Sequence, residues 1–515
     1  MATPSTPPLT AKTPGILRRT TAPAPGIVHL GFGNFHRAHQ AVYTDKAVAA
    51  QGGDWGIIGV SSRSSRITDA MQEQDMLYTV VEISPEGSSF SVPRVHTDAF
   101  TAAHQPEKLR EAIGAASTRI VSLTVTENGY TYSPATGSLN LTDPNVQHDL
   151  VHREAPRTSI GQMVRGLQER ARTHSEPITI LSCDNLADNG HHTQRLVREF
   201  ASRLPAAEAT ETLAWIDTHV TFPSSMVDRI VPATTDHYRR LVAEHRGYRD
   251  LVPVPAEPFS MWIVEDNFIA GRPAWEVGGA VFSNEVAGYE QLKVRLLNGT
   301  HSLIAYLGAL SGAATIPDSV TIPAIEAAAR SVLREEYLPS VSVPSSVDVN
   351  AYEEQLFSRW RNSALGHRTS QVGSDGSVKL RQRIPLPALQ MLDDGRVPQL
   401  LALTTAAYLS CIAPINGFRP GVHADAMEDP ARKLLSRLAN ESRSGHELAH
   451  KVLAEHHLLG EELAERAEFT NRTGELIDVL HTHGPLAAIA EASGKAGPSL
   501  PNLQTPSLQT AQGTL

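Results

Sequence analysis

The stretch Gly26-Ile-Val-His-Leu-Gly31-Phe-Gly33-Asn-Phe35-His36-Arg-Ala-His39-Gln-Ala-Val-Tyr43 reads as a short apolar strand, a glycine turn and the start of a helix. That order allows a Gly-x-Gly loop to bring backbone N–H groups to a pyrophosphate at a helix N-terminus. His36 stands where a third glycine would complete the fingerprint, so on pattern alone an ordinary tight turn stays open. A second strand, Trp55-Gly-Ile-Ile-Gly-Val60, follows at the spacing of a βαβ unit. Two further β-branched runs, 119 to 126 and 178 to 183, each end in a turn. Polar residues cluster beyond those ends, in Thr126-Glu127-Asn128-Gly-Tyr130 and Asp184-Asn185-Leu-Ala-Asp-Asn189-Gly190. In an open α/β sheet, ligands bind beyond the carboxyl ends of the strands. Asn189 also precedes a helical stretch, where capping explains it equally well.

The chain has 515 residues, more than one ordinary core holds, which sets an expectation of two domains. With 41% hydrophobic and 19% charged residues it reads as globular. A formal net charge of −10 and the lack of a Lys/Arg run offer no field for nucleic acid. Its two cysteines, Cys183 and Cys411, lie far apart in apolar runs, which argues against a disulfide framework and fits a reducing cytoplasm. No signal-peptide pattern opens the chain and no apolar run is long enough to span a bilayer, so neither secretion nor a membrane partner is expected. Residues 1–25 and 493–515 are rich in Pro, Thr, Ala, Ser and Gly and read as disordered tails.

From about residue 285 the pattern turns helical, with helices expected near 322–338, 349–361, 397–411, 429–440, 445–456 and 471–490. The fold class is thus an α/β Rossmann-type N-terminal domain, 26–284, followed by a mainly α-helical C-terminal domain, 285–492. At the start of the second domain stands Glu290-Gln-Leu-Lys293-Val-Arg-Leu-Leu-Asn298-Gly-Thr-His301, apolar at helical intervals. At about 100° per residue, Lys293, His301 and Asn298 fall near 0°, 80° and 140° on one face of an α-helix. Oxidation of an alcohol or reduction of a ketone wants such a set. A partly desolvated lysine acts as acid/base, while an amide and an imidazole N–H stabilise the developing alkoxide. Each residue also has an ordinary surface or structural explanation, and spacing alone does not decide between them.

The string from Lys293 to Gly308 resembles the catalytic signature of the polyol-specific long-chain dehydrogenases, the family of mannitol 2-dehydrogenase and fructuronate reductase. The resemblance implies that Lys293 is the acid/base, that Asn298 and His301 bind the reacting oxygen, and that no metal takes part. The segment from Gly31 to Ala41 resembles the family's cofactor loop, with a histidine at position 36 expected, which implies dinucleotide contacts from Gly31, Gly33, Phe35 and His36. By the same resemblance Thr126, Glu127 and Asn185 line the cofactor path, Asn189 gives a second amide to the substrate oxygen, and Asp228 contacts substrate hydroxyls. Glu290, one turn before Lys293, is a candidate proton relay or a surface partner. After the second strand the chain reads Ser61-Ser-Arg63-Ser-Ser-Arg66, with no acid before Asp69. NAD is the expected cofactor, and Arg63, able to pair a 2′-phosphate, leaves NADP open.

The string Asn362-Ser-Ala-Leu-Gly-His367-Arg368-Thr369-Ser-Gln371 resembles the fructuronate reductase branch, whose substrate carries a carboxylate. On that reading Arg368 grips the carboxylate and Gln371 and Lys379 complete the substrate site. The implied activity is interconversion of D-fructuronate and D-mannonate, with mannitol 2-dehydrogenase or tagaturonate reductase as alternatives. A sugar acid or polyol is the expected partner of a cytoplasmic monomer or small homo-oligomer. A sugar- or dinucleotide-binding sensor would not need Lys293, Asn298 and His301, all of which are present.

Overall fold

A computed structural model describes residues 6–15, 23–133 and 136–494, apart from the Glu127 and Asn128 side chains. It divides into two compact units. The first runs to Lys293 and takes in Ser342–Tyr352 and Asn362–Leu365; the second holds Val294–Val341, Glu353–Arg361 and the chain from Gly366.

The first unit is built on six parallel strands: β1 (Pro25–Leu30), β2 (Gly56–Ser61), β3 (His96–Thr101), β4 (Ile120–Leu123), β5 (Ile178–Ser182) and β6 (Val220–Thr221). Their spatial order is β3-β2-β1-β4-β5-β6, the doubly wound dinucleotide-binding order, so the sheet reverses direction of winding between β1 and β4. Apolar β-branched side chains make the central strands buried on both faces, as parallel sheets require. Helices Pro106–Gly114, Ser159–Thr173 and Asn189–Ser202 contribute to one large apolar cluster; helix Gln40–Gln51 packs into another with Trp55, Trp262 and Trp275. Two three-stranded sheets complete the unit, one around Val80–Ser84 and one around Met261–Val264.

The second unit is helical. Helix Gln399–Ile412, buried along nearly its whole length, packs against Thr300–Leu310 and Ala467–His483. The helical run beginning at Val286 and ending at Leu310 is not uniform: Leu292–Gly299 is π-helical. Bonding from i to i+5 widens that turn, so the 100° step behind the sequence-based face assignment of Lys293, Asn298 and His301 does not hold there. The expected helix 471–490 is two helices, broken at Gly484-Pro485.

The expected N-terminal tail needs one correction. Leu9 is fully buried in a cluster with Leu77, Val81, Val242 and Tyr248, and Pro8 bridges to Arg249, so this short piece docks on the first unit. Residues 1–5, 16–22 and 495–515 of the two tails lie outside the described residues. Among the described residues no helix is long and apolar enough to cross a membrane.

Candidate active site

At the end of β1 the chain turns at Gly31, whose φ of +96° favours glycine and whose place allows no side chain: a Cβ there would meet the Thr124 carbonyl oxygen at 2.2 Å. A Cβ on Gly33 would meet nothing nearer than the Gly31 carbonyl oxygen at 3.6 Å, so this side of the turn is open to an approaching ligand. An open glycine turn at the reversal point of a doubly wound sheet fits a dinucleotide pyrophosphate. Arg63, Thr126 and Asn185 stand exposed beyond the ends of β2, β4 and β5, the edge where such a ligand lies.

His36 points elsewhere than expected. His36 is fully buried, stacked on His29 with centroids 3.5 Å apart, and its ring nitrogens meet Gln40 Oε1 and His96 Nε2, each at 3.1 Å. Phe35 stacks on His39. His36 supports the turn from within, while Phe35 stays partly exposed. Burial pushes the imidazoles of His29, His39 and His96 down to about 3 and that of His36 well below its ordinary value, so all four are neutral.

Lys293 closes the first unit. Its Nζ donates to Asn185 Oδ1 and to the Val227 carbonyl, both at 2.6 Å. The lysine is half-buried, and two carboxyls lie close by. Burial raises Asp184 to about 6, against the Tyr130 hydroxyl that donates to it. Burial likewise raises Glu290 to about 7, its oxygens accepting from the Asp188 N–H at 3.1 and 3.2 Å. Both groups therefore titrate near neutrality. Asp228, 7% exposed, ends the strand Ser225–Asp228 next to Val227.

The arrangement adds to one assignment and revises another. Asn185, expected along the cofactor path, stands exposed at that edge and also holds Lys293. Asn189, expected on the substrate oxygen, is fully buried: its amide nitrogen donates to the Ser225 carbonyl at 2.8 Å and the Asp184 carbonyl at 3.3 Å, and its oxygen accepts from the Ser225 N–H at 3.0 Å. Every polar atom of that amide is committed to backbone, so Asn189 clamps the segment carrying Asn185. It is not the helix cap either, since Asp188 occupies that position.

In the second unit His301 is 8% exposed and its Nε2 is buried without a hydrogen-bond partner. Its ring lies 5.2 Å from that of His367 and 5.9 Å from that of Trp360. Burial, then His367, Arg383, Arg359 and Lys379, hold His301 well below its ordinary value, so it is neutral. Asn298 is half-buried at the end of the π-helical turn; its carbonyl accepts from Arg383 Nη1 at 3.0 Å, which also donates to Ser302 Oγ at 2.7 Å. Lys379 donates to the Ser374 carbonyl at 2.7 Å.

Arg368 and Gln371 do not join this group of buried side chains. Both are exposed, Arg368 at the N-cap of the short helix Thr369–Gly373 and Gln371 within it. The sequence places Asp184 and Tyr130 in the polar clusters beyond the strand ends but assigns no role to them or to Arg383. Asp184 sits beside the quoted Asn185, but nothing local reveals its burial; Arg383, in Lys-Leu-Arg-Gln-Arg, looks like a solvated charge run. Among the described residues no group of three or more His, Cys, Asp and Glu is placed to hold a metal ion.

Comparison with known proteins identifies the family. Residues 25–277 match the mannitol dehydrogenase Rossmann domain and residues 285–480 the mannitol dehydrogenase C-terminal domain. The chain is 40% identical over 387 residues to D-mannonate oxidoreductase of Escherichia coli, covering 74% of this chain and 79% of that protein. It is 39% identical over 388 residues to mannitol 2-dehydrogenase of Cereibacter sphaeroides, covering 75% and 80%. Its fold superposes with a TM-score of 0.80 on the Pseudomonas fluorescens mannitol 2-dehydrogenase in ternary complex with NAD and D-mannitol, at 32% identity and covering 92% of this chain and 95% of that one. Two domain matches that together span most of the sequence, and relatives at this level of identity, show that the chain belongs to the mannitol dehydrogenase family of oxidoreductases.

Proposed function

We propose that this polyol or sugar-acid dehydrogenase acts on a sugar acid, reducing D-fructuronate to D-mannonate reversibly with NAD as cofactor. The observation that carries the choice of an acid is the pair of cations Lys379 and Arg383 on one helix, with Arg383 hydrogen-bonded to the Asn298 carbonyl and to Ser302 on either side of His301. A carboxylate is the substrate group that such a pair favours. The identities to the mannonate and mannitol relatives, 40% and 39%, do not separate the two branches.

When bound, the nicotinamide exchanges a hydride at C4. Lys293, held on two carbonyl-type acceptors, gives the proton to the reacting oxygen in reduction and takes it in oxidation. Asn298 and neutral His301 polarise that oxygen, the imidazole through an N–H on the nitrogen left without a protein partner. Glu290, titrating near 7, passes the proton between Lys293 and solvent. Asp228 contacts the sugar hydroxyls, and Asn185 and Asn189 act behind Lys293.

The test follows reduced nicotinamide spectrophotometrically, offering NADH and NADPH with D-fructuronate, D-tagaturonate and D-fructose. Turnover of D-fructuronate with NADH is expected; preference for D-fructose would make the chain a mannitol 2-dehydrogenase instead. Because Arg63 and Arg66 are exposed beyond β2 with no acid before Asp69, NADPH is the second cofactor reading. Lys293→Ala should abolish turnover, by about 10²-fold or more, with dinucleotide binding retained in a fluorescence titration. Surviving activity would remove Lys293 as the acid/base.

A further inference from the structure

Arg383 and Lys379 stand four residues apart on helix Gly376–Arg383, an arrangement in which like charges repel. Neither is well neutralised. Among the described residues Lys379 has one ion pair, with the exposed Asp375 at 3.9 Å, while Asp429 acts on it from beyond ion-pair distance; Arg383 forms none. Arg383 is nonetheless half-buried, flanked by the phenols of Tyr306 and Tyr337. A cation drawn out of water without a counter-ion is costly, and a sequence retains that cost most readily where a ligand supplies the missing charge.

Two orphaned polar atoms mark the same corner. Tyr337 Oη is buried without a hydrogen-bond partner and presses on the turn carrying Asn298, since a Cβ on Gly299 would meet it at 2.6 Å. His301 Nε2 is the other. Because one Arg383 nitrogen serves both the Asn298 carbonyl and Ser302 Oγ, the rest of the guanidinium fork faces no protein acceptor among the described residues. Arg368, the arginine that the sequence suggests for this work, is exposed and lacks such surroundings.

We propose that Arg383 is the residue that holds the substrate carboxylate, with Lys379 beside it. The inference rests on the sugar-acid reading above. It makes Arg383 a specificity residue joined through its own hydrogen bonds to the turn that carries Asn298 and His301.

The experiment measures kcat and KM for D-fructuronate with saturating NADH on the full chain, wild type against Arg383→Gln, Arg383→Lys and Arg368→Gln, with thermal melts of each. Arg383→Gln is expected to raise KM about 30-fold or more while kcat changes far less, and Arg383→Lys, which keeps the charge but loses the fork, to fall in between. A fall in kcat at unchanged KM would make Arg383 a brace for Asn298 alone and overturn the proposal while leaving the sugar-acid reading intact. A rise in KM for Arg368→Gln with none for Arg383→Gln would move the carboxylate to Arg368 and overturn it likewise. If Arg383→Gln fails to fold, the KM of Arg383→Lys decides: no change overturns the proposal. Wild-type enzyme that turns over D-fructose and not D-fructuronate would defeat the reading itself, and the proposal with it.

Discussion

Asn189 and Asn185 show how four residues of separation divide support from chemistry. Asn185 is exposed and presents an oxygen to Lys293; Asn189 is fully buried and makes three hydrogen bonds to backbone. Replacing Asn189 by Ala leaves the Ser225 N–H and carbonyl buried without partners, at a cost of about 1–3 kcal/mol each at most. Asn189→Ala should therefore lower the urea midpoint clearly, and lower turnover only as far as the segment holding Asn185 loosens. A variant with an unchanged midpoint and lost turnover would return Asn189 to the reacting oxygen. The pair was legible as a polar cluster beyond a strand, but which amide faced inward depended on the Ser225–Asp228 strand, 36 residues further on, and no local pattern encodes that.

Among the elements, those that the sequence announces are the ones whose burial is written in their own composition. β1, β2, β4 and β5 are β-branched runs and were readable; β3, His-Thr-Asp-Ala-Phe-Thr, is too polar, and β6 is two residues long. The π-helical turn at Leu292–Gly299 escapes because an i to i+5 bond leaves no trace in which residues are apolar. Helix Gln399–Ile412 gave its position through thirteen buried residues, yet its N-terminal support was invisible. Pro398 at the N-cap has no side chain to offer, and Glu336 supplies the acceptor, its oxygens taking the Leu400 and Leu401 N–H groups at 2.9 and 2.8 Å. Glu336→Ala should strand two buried donors and destabilise the second unit by about 2–4 kcal/mol, with Glu336→Gln between it and wild type. Denaturant melts followed by far-UV circular dichroism would read this; equal stability of the Ala variant would mean that water replaces the carboxylate.

Across the molecule the buried titratable groups pull stability in opposite directions with pH, and their number decides the outcome. His29, His36, His39 and His96 in the first unit, and His301 and His367 in the second, are held neutral by burial, His367 at about 4. Their folded values lie below 6.5, so the unfolded chain binds more protons; the stability they carry is full above pH 6.5 and is lost as pH falls toward the folded values. Each removes up to about 1.4 kcal/mol per pH unit once its unfolded form is protonated. Asp184 at about 6 and Glu290 and Glu336 at about 7 act oppositely, because a raised carboxyl contributes stability at low pH that disappears as pH rises through its folded value. Between pH 6.5 and 4.5 both sets are active, and the named imidazoles outnumber the carboxyls two to one, so the protein should lose stability on acidification. Thermal melts at pH 7.5, 6.0 and 5.0 should show a falling midpoint. His96→Asn, which leaves a polar group against His36 but removes one proton-binding site, should reduce the slope of unfolding free energy by about 1.4 kcal/mol per pH unit. An unchanged slope in His96→Asn would mean that the stacked imidazoles behind the glycine turn already carry protons in the folded chain, and the neutral support assigned to that turn would be wrong.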